Sequence, residues 1–220
     1  MRKFLRKLFT TIVVLTVLLV ASIAAMGYLK YKQAVTNVPI IEKVTVLRED
    51  ENYTTIDSIS TDFLESIVAI EDHRFYEHGA IDPIAVVRAT IVNALQKEIA
   101  QGGSTLTQQV AKNMYFSHNQ NFIRKVAELF VAHQLEELYS KDDILELYVN
   151  IIYYGDGNYG IKEASENYFG KAPSELTFDE ATLLAGLPQA PSSYALSTNY
   201  ERAKKRQTEV IKALETYRSQ

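Results

Sequence analysis

The residues best suited to chemistry begin at Glu71, inside the stretch SIVAIEDHRFYEHGAID (residues 66–82). An apolar run, Ile67–Ile70, leads directly into Glu71 and Asp72, and Phe75 follows closely. A glutamate at such a core boundary is expected to lose water, and this loss raises a carboxyl pKa towards the range useful for a general acid or base. The alternative is that Glu71 is a solvated charge at the end of a helix.

Two histidines follow Glu71 and raise the question of a metal site. His73 and His78 lie at positions i and i+5. That spacing fits neither the i, i+4 face of a helix nor a common zinc pattern, so no zinc site is predicted. Asp82 is followed by Pro83, and this pair is typical of the N-cap and first residue of a helix.

A second candidate is the stretch GGSTLTQQVAKN, residues 102–113. Two glycines followed by hydroxyl residues at a helix start would bring backbone N–H groups and the positive end of the helix dipole together. Such an arrangement binds anions. Gln108, Gln109 and Lys112 would extend the row of donors. The alternative is a flexible loop before an ordinary capped helix, and the Gly-Lys-Ser/Thr order of a P-loop is missing.

A third candidate is Arg124-Lys125-x-x-Glu128, whose three charges share one face of a helix. Alone, it could be a surface ion pair of little energetic value. Taken together, the three candidates supply two carboxylates, Glu71 and Glu128, and several cations. This combination fits sugar chemistry in which a carboxylate activates a hydroxyl and cations hold a phosphorylated leaving group. The cations are Arg88, Lys112, Arg124 and Lys125.

The elements that must position these residues are mainly helices. Apolar residues recur at helical spacing, and the pattern predicts a long helix from about Phe122 to Tyr139. Ser140 and Thr177 each precede an acidic residue by three positions, which is a helix-start signal. Only Glu42–Leu47 alternates like a short β-strand. The predicted fold class is therefore mainly α.

The N-terminus predicts a membrane anchor. Four basic residues precede the uncharged run Leu8–Leu29, which as a helix would span about 33 Å, enough for a bilayer core. A cleaved signal peptide is the alternative, although its apolar region is normally shorter. The basic end is expected to stay in the cytoplasm. The predicted division is a cytoplasmic tail (1–7), a transmembrane helix (8–29), a linker (30–50) and a folded domain (51–220).

Charge and composition exclude some classes of function. The chain has 23 basic and 27 acidic residues, and the first 32 residues hold six of the basic ones and no acidic one. The remainder therefore carries 17 basic against 27 acidic residues, about −10, which does not favour a nucleic-acid partner. The absence of cysteine excludes disulfides and thiolate metal sites.

In their order, these motifs resemble those of the peptidoglycan glycosyltransferases, glycosyltransferase family 51. The resemblance covers about residues 55–218 and rests on five motifs: E-D-x-x-F-x-x-H (71–78), G-G-S-T-L-T-Q-Q (102–109), R-K-x-x-E (124–128), KDDILELYVN (141–150) and LLAGLPQAPSSY (183–194). It implies a mainly α fold, with a lysozyme-like helical lobe and a smaller membrane-facing jaw lobe. No Ser-x-x-Lys occurs, so the closest type is a monofunctional biosynthetic transglycosylase without a transpeptidase domain.

The resemblance also implies an activity and roles for residues. The activity is polymerisation of lipid II into linear β-1,4 glycan strands, with inversion at the anomeric carbon and release of undecaprenyl pyrophosphate. Glu71 would be the general base for the acceptor hydroxyl, and Glu128 would assist on the donor side. Positions expected to bind substrate or pyrophosphate are Arg88, Ser104, Thr105, Gln108, Gln109, Lys112, Asn113, Arg124 and Lys125. Positions expected to shape the motifs are Asp72, Phe75, His78, Asp82, Gly102 and Gly103.

No cofactor is required by this chemistry, and the resemblance leaves open a Mg²⁺ or Mn²⁺ ion near Glu128 that assists pyrophosphate departure. The implied partners are lipid II, the growing glycan chain, the membrane and wall-synthesis proteins such as penicillin-binding transpeptidases, with no nucleic acid. The implied location is the bacterial cytoplasmic membrane, with one span and the catalytic domain outside. The segment Asn113–Phe116 (NMYF) is a candidate for the apolar patch near the membrane.

The chain departs from the family pattern at two positions. Ala80 stands where the family usually has glycine, and Gln120 stands where an arginine commonly contacts the donor pyrophosphate. The loss of a charged hydrogen-bond donor at position 120 would weaken donor binding by roughly 1.5–3 kcal/mol. Two other functions stay open: a lysozyme-like or lytic enzyme that cleaves glycan, and a non-catalytic scaffold for wall synthesis.

Overall fold

The protein is built from helices, as the sequence predicts. The computed structural model describes residues 2–96, 102–116 and 121–220. Within these ranges there is no β-strand, and a single antiparallel bridge joins Tyr153 to Tyr159. The helices are α1 (Arg2–Asn37), α2 (Ile40–Arg48), α3 (Thr61–Glu71), α4 (Pro83–Gln96), α5 (Leu106–Tyr115), α6 (Phe122–Leu138), α7 (Lys141–Ile151), α8 (Gly160–Phe169), α9 (Phe178–Gly186) and α10 (Leu196–Arg218).

Helix α1 contains the predicted membrane anchor. Its apolar window has a mean hydropathy of 2.6 and is not buried inside the protein, and no other helix in the described ranges is long and apolar enough to cross a membrane. The helix does not end at the predicted span but continues to Asn37 and packs on α6. A Cβ added at Gly27 would overlap the side chain of Val126, so the two helices approach closely there.

An aromatic cluster strengthens the same α1–α6 contact. The Tyr31 hydroxyl donates a hydrogen bond to Gln134 Oε1 at 2.8 Å, and the Tyr31 ring stacks on Phe130 with the centroids 5.5 Å apart. Because α6 carries Arg124, Lys125 and Glu128, the anchor helix is packed directly against the element that holds these charges.

Most of residues 30–50, which were predicted to be a linker with a short strand, are helical in the structure. Residues 30–37 belong to α1, and Glu42–Leu47 lies inside α2. The strand prediction was wrong because the apolar residues also fit a helix: Ile40 and Val44 are four residues apart and both are buried, while Val46 is exposed. The division of the chain into domains remains a prediction.

One hydrophobic core is formed by residues from most of the helices after α1. Helix α3 packs against α9 and α10, and α5 packs against α6 and α7. Phe63 and Ile67 of α3 and Tyr148 of α7 are fully buried. Capping boxes at Ser140 and Thr177 fix the starts of α7 and α9, as the sequence predicts. A hydrogen bond from the Leu106 N–H to Asp72 holds the start of α5 beside the end of α3, where the candidate site forms.

Candidate active site

One cleft gathers most of the predicted site residues. Its volume is about 490 Å³, and it lies where the end of α3 meets α4, α5, α6 and the segment between α9 and α10. His73 lines this cleft together with nine of the predicted site residues. These nine are Glu71, Arg88, Gly102, Ser104, Gln108, Gln109, Lys112, Lys125 and Glu128. The lining also includes Ile70, Pro188, Gln189 and Arg206, which the sequence analysis did not select.

Glu71 is the last residue of α3, as the sequence predicts. Burial raises the pKa of its carboxyl group, while a hydrogen bond from Gln109 and the positive charge of Arg206 act in the opposite direction. Asp72 raises the same pKa further. The Gln109 amide donates to Glu71 Oε2 at 2.9 Å and fixes one carboxylate oxygen. The result is a carboxylate held in a cleft with an elevated pKa, which suits proton transfer.

Asp72 is buried and contacts two segments that form the site. One carboxylate oxygen lies 2.8 Å from His78 Nε2, and the other accepts a hydrogen bond from the backbone N–H of Leu106 at 2.9 Å. Asp72 therefore ties the end of α3 to the start of α5, which places Gln109 opposite Glu71.

Asp82 is the N-cap that the sequence predicts for α4. It accepts hydrogen bonds from the N–H groups of Ile84 at 2.9 Å and Ala85 at 3.1 Å, and from the Arg74 guanidinium at 2.6 Å. Burial acts to raise the pKa of Asp82, but the bonds from Arg74 and the helix outweigh it and lower that pKa. Arg74 was not among the residues predicted from the sequence.

Asp72, His78 and Asp82 lie close together, and their ligand atoms are within 4.8 Å of one another. The Arg74 guanidinium contacts the same Asp82, and the remaining oxygens accept bonds from Leu106 and from the first turn of α4. The Arg74 guanidinium therefore supplies the positive charge that a metal ion would otherwise bring. Asp72, His78 and Asp82 form a structural network that fixes the conformation of the first motif, residues 71–82.

The start of α5 is satisfied internally. Thr105 is the N-cap and accepts from the N–H of Gln108 at 3.2 Å, while Asp72 accepts from the N–H of Leu106. Thr105 and Gln108 also both donate to the carbonyl oxygen of Ala80. The predicted anion site at this helix start was wrong for these two N–H groups, because a protein carboxylate and a hydroxyl already accept from them.

The anion-binding groups are therefore the side chains across the cleft. Glu128 is 1% exposed and forms ion pairs with Arg124 and, at 3.4 Å, with Lys125. Lys125 also donates to Ser104 Oγ at 2.8 Å, which connects the glycine loop to α6. Burial lowers the pKa of Lys125, whereas the charge of Glu128 raises it.

The surroundings of Glu128 do not fit a divalent cation. A guanidinium contacts one of its carboxylate oxygens and an ammonium the other. Hard divalent ions need several oxygen ligands, and the described residues supply no acidic cluster at this position. No step of the reaction is therefore assigned to a metal.

Several predicted residues support the cleft without lining it. Thr105, Asp72, His78, Asp82 and Arg124 act through the contacts above, and Phe75 is fully buried with Lys141 Nζ 4.3 Å from its ring centroid. A Cβ added at Gly103 would lie 3.4 Å from Val86 Cα, so the glycine loop runs close to α4. Asn113 donates to the carbonyl oxygen of Gln109 and lines a separate cavity of about 450 Å³.

Only one of the two positions that depart from the family pattern, Ala80, lies in the part of the chain that the structure describes. Ala80 does not have a positive φ, so its backbone does not require glycine. Gln120 lies outside the described residues.

Arg206 is the main cleft residue that the sequence analysis missed. Its signal was available: it lies three residues after Ala203 and four before Val210, both buried, so a charge occupies the apolar face of α10. A charged residue at a core-facing position is unusual unless it has a partner.

The exposed apolar surface is also not where it was predicted. Met114 is buried and Phe116 is partly buried beneath the Lys30 ammonium, so the NMYF segment is largely packed. Instead, Ile84, Val87 and Ile91 are 55–59% exposed on one face of α4. Phe122, at the start of α6, is 81% exposed.

Comparisons with known proteins show what this chain is similar to. The family described as Transglycosylase matches residues 39–215. A Cupriavidus necator protein, provisionally described as a transglycosylase, is 39% identical over 210 residues, which cover 96% of this chain and 90% of that protein. Penicillin-binding protein 1A of Aquifex aeolicus is 45% identical over 162 residues, covering 74% of this chain and 22% of the relative.

Penicillin-binding protein 1A of Escherichia coli is 41% identical over 157 residues, covering 71% of this chain and 18% of the relative. The chain thus spans nearly the whole of the first relative but only about a fifth of these penicillin-binding proteins.

Proposed function

The chain belongs to the transglycosylase family, the glycosyltransferases of peptidoglycan synthesis, and on this premise we propose that it polymerises lipid II into linear β-1,4 glycan strands. The reaction would invert the anomeric carbon and release undecaprenyl pyrophosphate. The observation that carries the proposal is that Glu71, Glu128 and the basic residues Arg88, Lys112 and Lys125 line a single cleft.

The cleft supports a single-displacement mechanism. The acceptor 4-hydroxyl oxygen bonds to the donor anomeric carbon as the bond from that carbon to the pyrophosphate oxygen breaks. The hydroxyl proton passes to Glu71, whose carboxylate is oriented by Gln109. Attack from the face opposite the leaving group gives inversion.

The leaving group would be held by the cations of the cleft. Arg88, Lys112 and Lys125 offer charged donors for the pyrophosphate, on which negative charge increases as the bond breaks. Glu128 would not take part in proton transfer. Its ion pairs with Arg124 and Lys125 instead hold those two side chains in place.

The exposed apolar residues fit a lipid-linked substrate. Helix α1 is proposed to anchor the chain in the cytoplasmic membrane, with the basic N-terminus inside and the cleft outside. The exposed face of α4 is proposed to form the membrane-facing jaw and to rest on the lipid surface beside the cleft. Strands made in this way need cross-linking, and penicillin-binding transpeptidases are the proposed partners for that step.

The test is the incubation of the full chain with purified lipid II in detergent, followed by separation of the products by size. We expect polymer from the wild type and a loss of about 10²–10⁴-fold in the initial rate for Glu71→Gln, because general base catalysis is removed. Shortening of added glycan without polymer would instead show a lytic enzyme, and no reaction with either substrate would show a scaffold.

A further inference from the structure

Arg206 introduces a positive charge into the cleft from α10. It is only 8% exposed and lines the same cleft as Glu71. Helix α10 packs against α3, whose last residue is Glu71, so the two side chains belong to neighbouring helices. The proposed mechanism assigns Arg206 no contact with the substrate.

The packing around Arg206 leaves part of its guanidinium without a partner. One terminal nitrogen donates to Glu209 at 2.6 Å, but the Nε has no acceptor among the described residues. The aliphatic stem lies against Gly186, where an added Cβ would be 2.9 Å from Arg206 Cγ. A buried charged group with an unpaired N–H is unfavourable, and the fold nevertheless leaves room for it.

The groups around Glu71 differ in how they affect its charge. Burial disfavours the charged form of Glu71 most, and the negative charge of Asp72 acts in the same direction. Burial raises the pKa of the Tyr148 and Tyr154 hydroxyls, and the negative charge of Glu71 raises both further. Gln109 donates a hydrogen bond from α5. Among the described groups that change the pKa of Glu71, Arg206 is the one cation.

The other cations of the cleft have a different position. Arg88 lies 3.4 Å from His73 through its guanidinium, and Lys125 contacts Ser104 and Glu128. With Lys112 they are assigned above to the pyrophosphate. Arg206 is thus separate from this set, both in the helix that carries it and in the carboxylate it affects.

We propose that Arg206 is a positioning residue for the glycosyltransferase reaction: from the same cleft, on a helix packed against α3, its guanidinium keeps the Glu71 carboxylate ionised before the acceptor hydroxyl arrives. This inference rests on the proposed function. In the transfer step the hydroxyl proton moves to Glu71 and then to water. The cation promotes that second step as well, because it favours the deprotonated carboxylate and so prepares the site for the next acceptor.

The test compares Arg206→Met, which keeps the length of the stem but removes the charge, with Arg206→Lys, which keeps the charge. The pH dependence of kcat/KM for lipid II is measured for each. We expect the acid limb of the Met variant to move up by about one pH unit and its rate to approach the wild type at high pH. The Lys variant should restore most of the shift. An unmoved acid limb, or a Lys variant as impaired as Met, would overturn the proposal.

A second measurement follows the carboxyl group directly, so that the proposal does not depend on activity. Glutamate labelled with ¹³C at the side-chain carboxyl is titrated by NMR in the full chain, and the Glu71 signal is assigned by its loss in Glu71→Gln. We expect a higher Glu71 pKa in Arg206→Met. If the wild type made no polymer, the proposed function would fail, while this titration would still test the Arg206–Glu71 relationship.

Glu209→Gln is the matched variant that should change the pKa of Glu71 in the opposite direction. It removes the partner that partly neutralises Arg206, and Glu209 itself is largely exposed. The pKa of Glu71 should fall in this variant, and an unchanged or higher value would contradict the proposal. Because the change is at an exposed position, this arm stays informative even if Arg206→Met does not fold.

Discussion

The side-chain amide of Gln109 donates a hydrogen bond to Glu71 Oε2 across 2.9 Å, and so connects α5 to the last residue of α3. Gln109 lies one turn before Asn113 on α5 and three residues before Lys112, which lines the same cleft. The residue proposed as the base and a cation proposed for the leaving group are thus positioned by one short helix. The geometry of this pair leads directly to a test.

Replacing Gln109 by Leu should move the acid limb of the polymerisation rate to higher pH. The hydrogen bond favours the ionised form of Glu71, so its removal raises a carboxyl pKa that burial has already raised. The base is then ionised only at higher pH. The loss of rate should be largest in acid and smaller in alkaline solution, as measured by initial rates across the pH range. A loss of equal size at every pH would show that Gln109 acts on substrate binding alone.

Asp82 should stabilise the fold through its cap of α4. Asp82→Ala removes the acceptor of the Ile84 and Ala85 N–H groups and should lower the free energy of unfolding by about 1–2 kcal/mol. Asp82→Asn keeps an acceptor and should lose less. Denaturant unfolding monitored by circular dichroism measures both variants, and equal losses in both would show that the charge, and not the cap, matters.

Asp82 also makes the free energy of unfolding depend on pH in a predictable direction. The pKa of Asp82 is lowered in the folded protein, so its contribution to stability is present above the unfolded value of about 3.9 and is lost as the pH falls through the folded value. The free energy of unfolding of the wild type should therefore decrease below about pH 4, and Asp82→Asn should remove part of that decrease. An identical slope in wild type and variant would contradict this assignment.

The close approach at Gly27 should make the anchor helix part of the catalytic domain. Gly27→Leu would force α1 away from Val126 and should lower the free energy of unfolding by about 1–3 kcal/mol, because the contact is overpacked. Polymerisation should fall as well, since α6 carries Lys125 and Glu128. Ala24→Leu, at an exposed position of the same helix, is the control. Thermal unfolding in detergent measures the stability of both variants. Equal losses of stability would contradict the coupling between α1 and α6.

The exposed face of α4 should matter only when the lipid substrate is in a bilayer. Ile84→Ser and Val87→Ser together remove apolar surface worth roughly 1.5–3 kcal/mol for each side chain if it is fully buried in lipid. Polymerisation in vesicles should fall, while the rate in detergent micelles should change little. Phe178→Ser, also an exposed apolar side chain but on α9, provides the control. Equal losses in vesicles and micelles would place the effect in the cleft.

The sequence predicted the parts of the site that depend on local spacing. Glu71 at the end of an apolar helix and the shared face of Arg124 and Glu128 follow from helical periodicity alone. Their burial was the part that spacing could not decide, because it depends on the packing of α3 and α6 against other helices. Glu128 is almost fully buried, whereas the same pattern on a surface helix would be fully solvated.

The features that the sequence did not reveal depend on contacts between distant segments. The N–H group of Leu106 is bonded to Asp72, 34 residues earlier in the chain, so the start of α5 looked free for an anion. The alternation in Glu42–Leu47 was compatible with either strand or helix, and burial of Val44 beside the core decided it. The apolar stripe of α4 reads like a core-facing helix, although Ile84 and Val87 are exposed.

The most direct test of the central claim is lipid II polymerisation by Glu71→Gln beside the wild type, in the same detergent and with folding of both verified by circular dichroism. If Glu71 is the base, the wild type forms glycan polymer and the variant loses at least about 10²-fold in initial rate. Polymerisation by the variant at the wild-type rate would contradict the account.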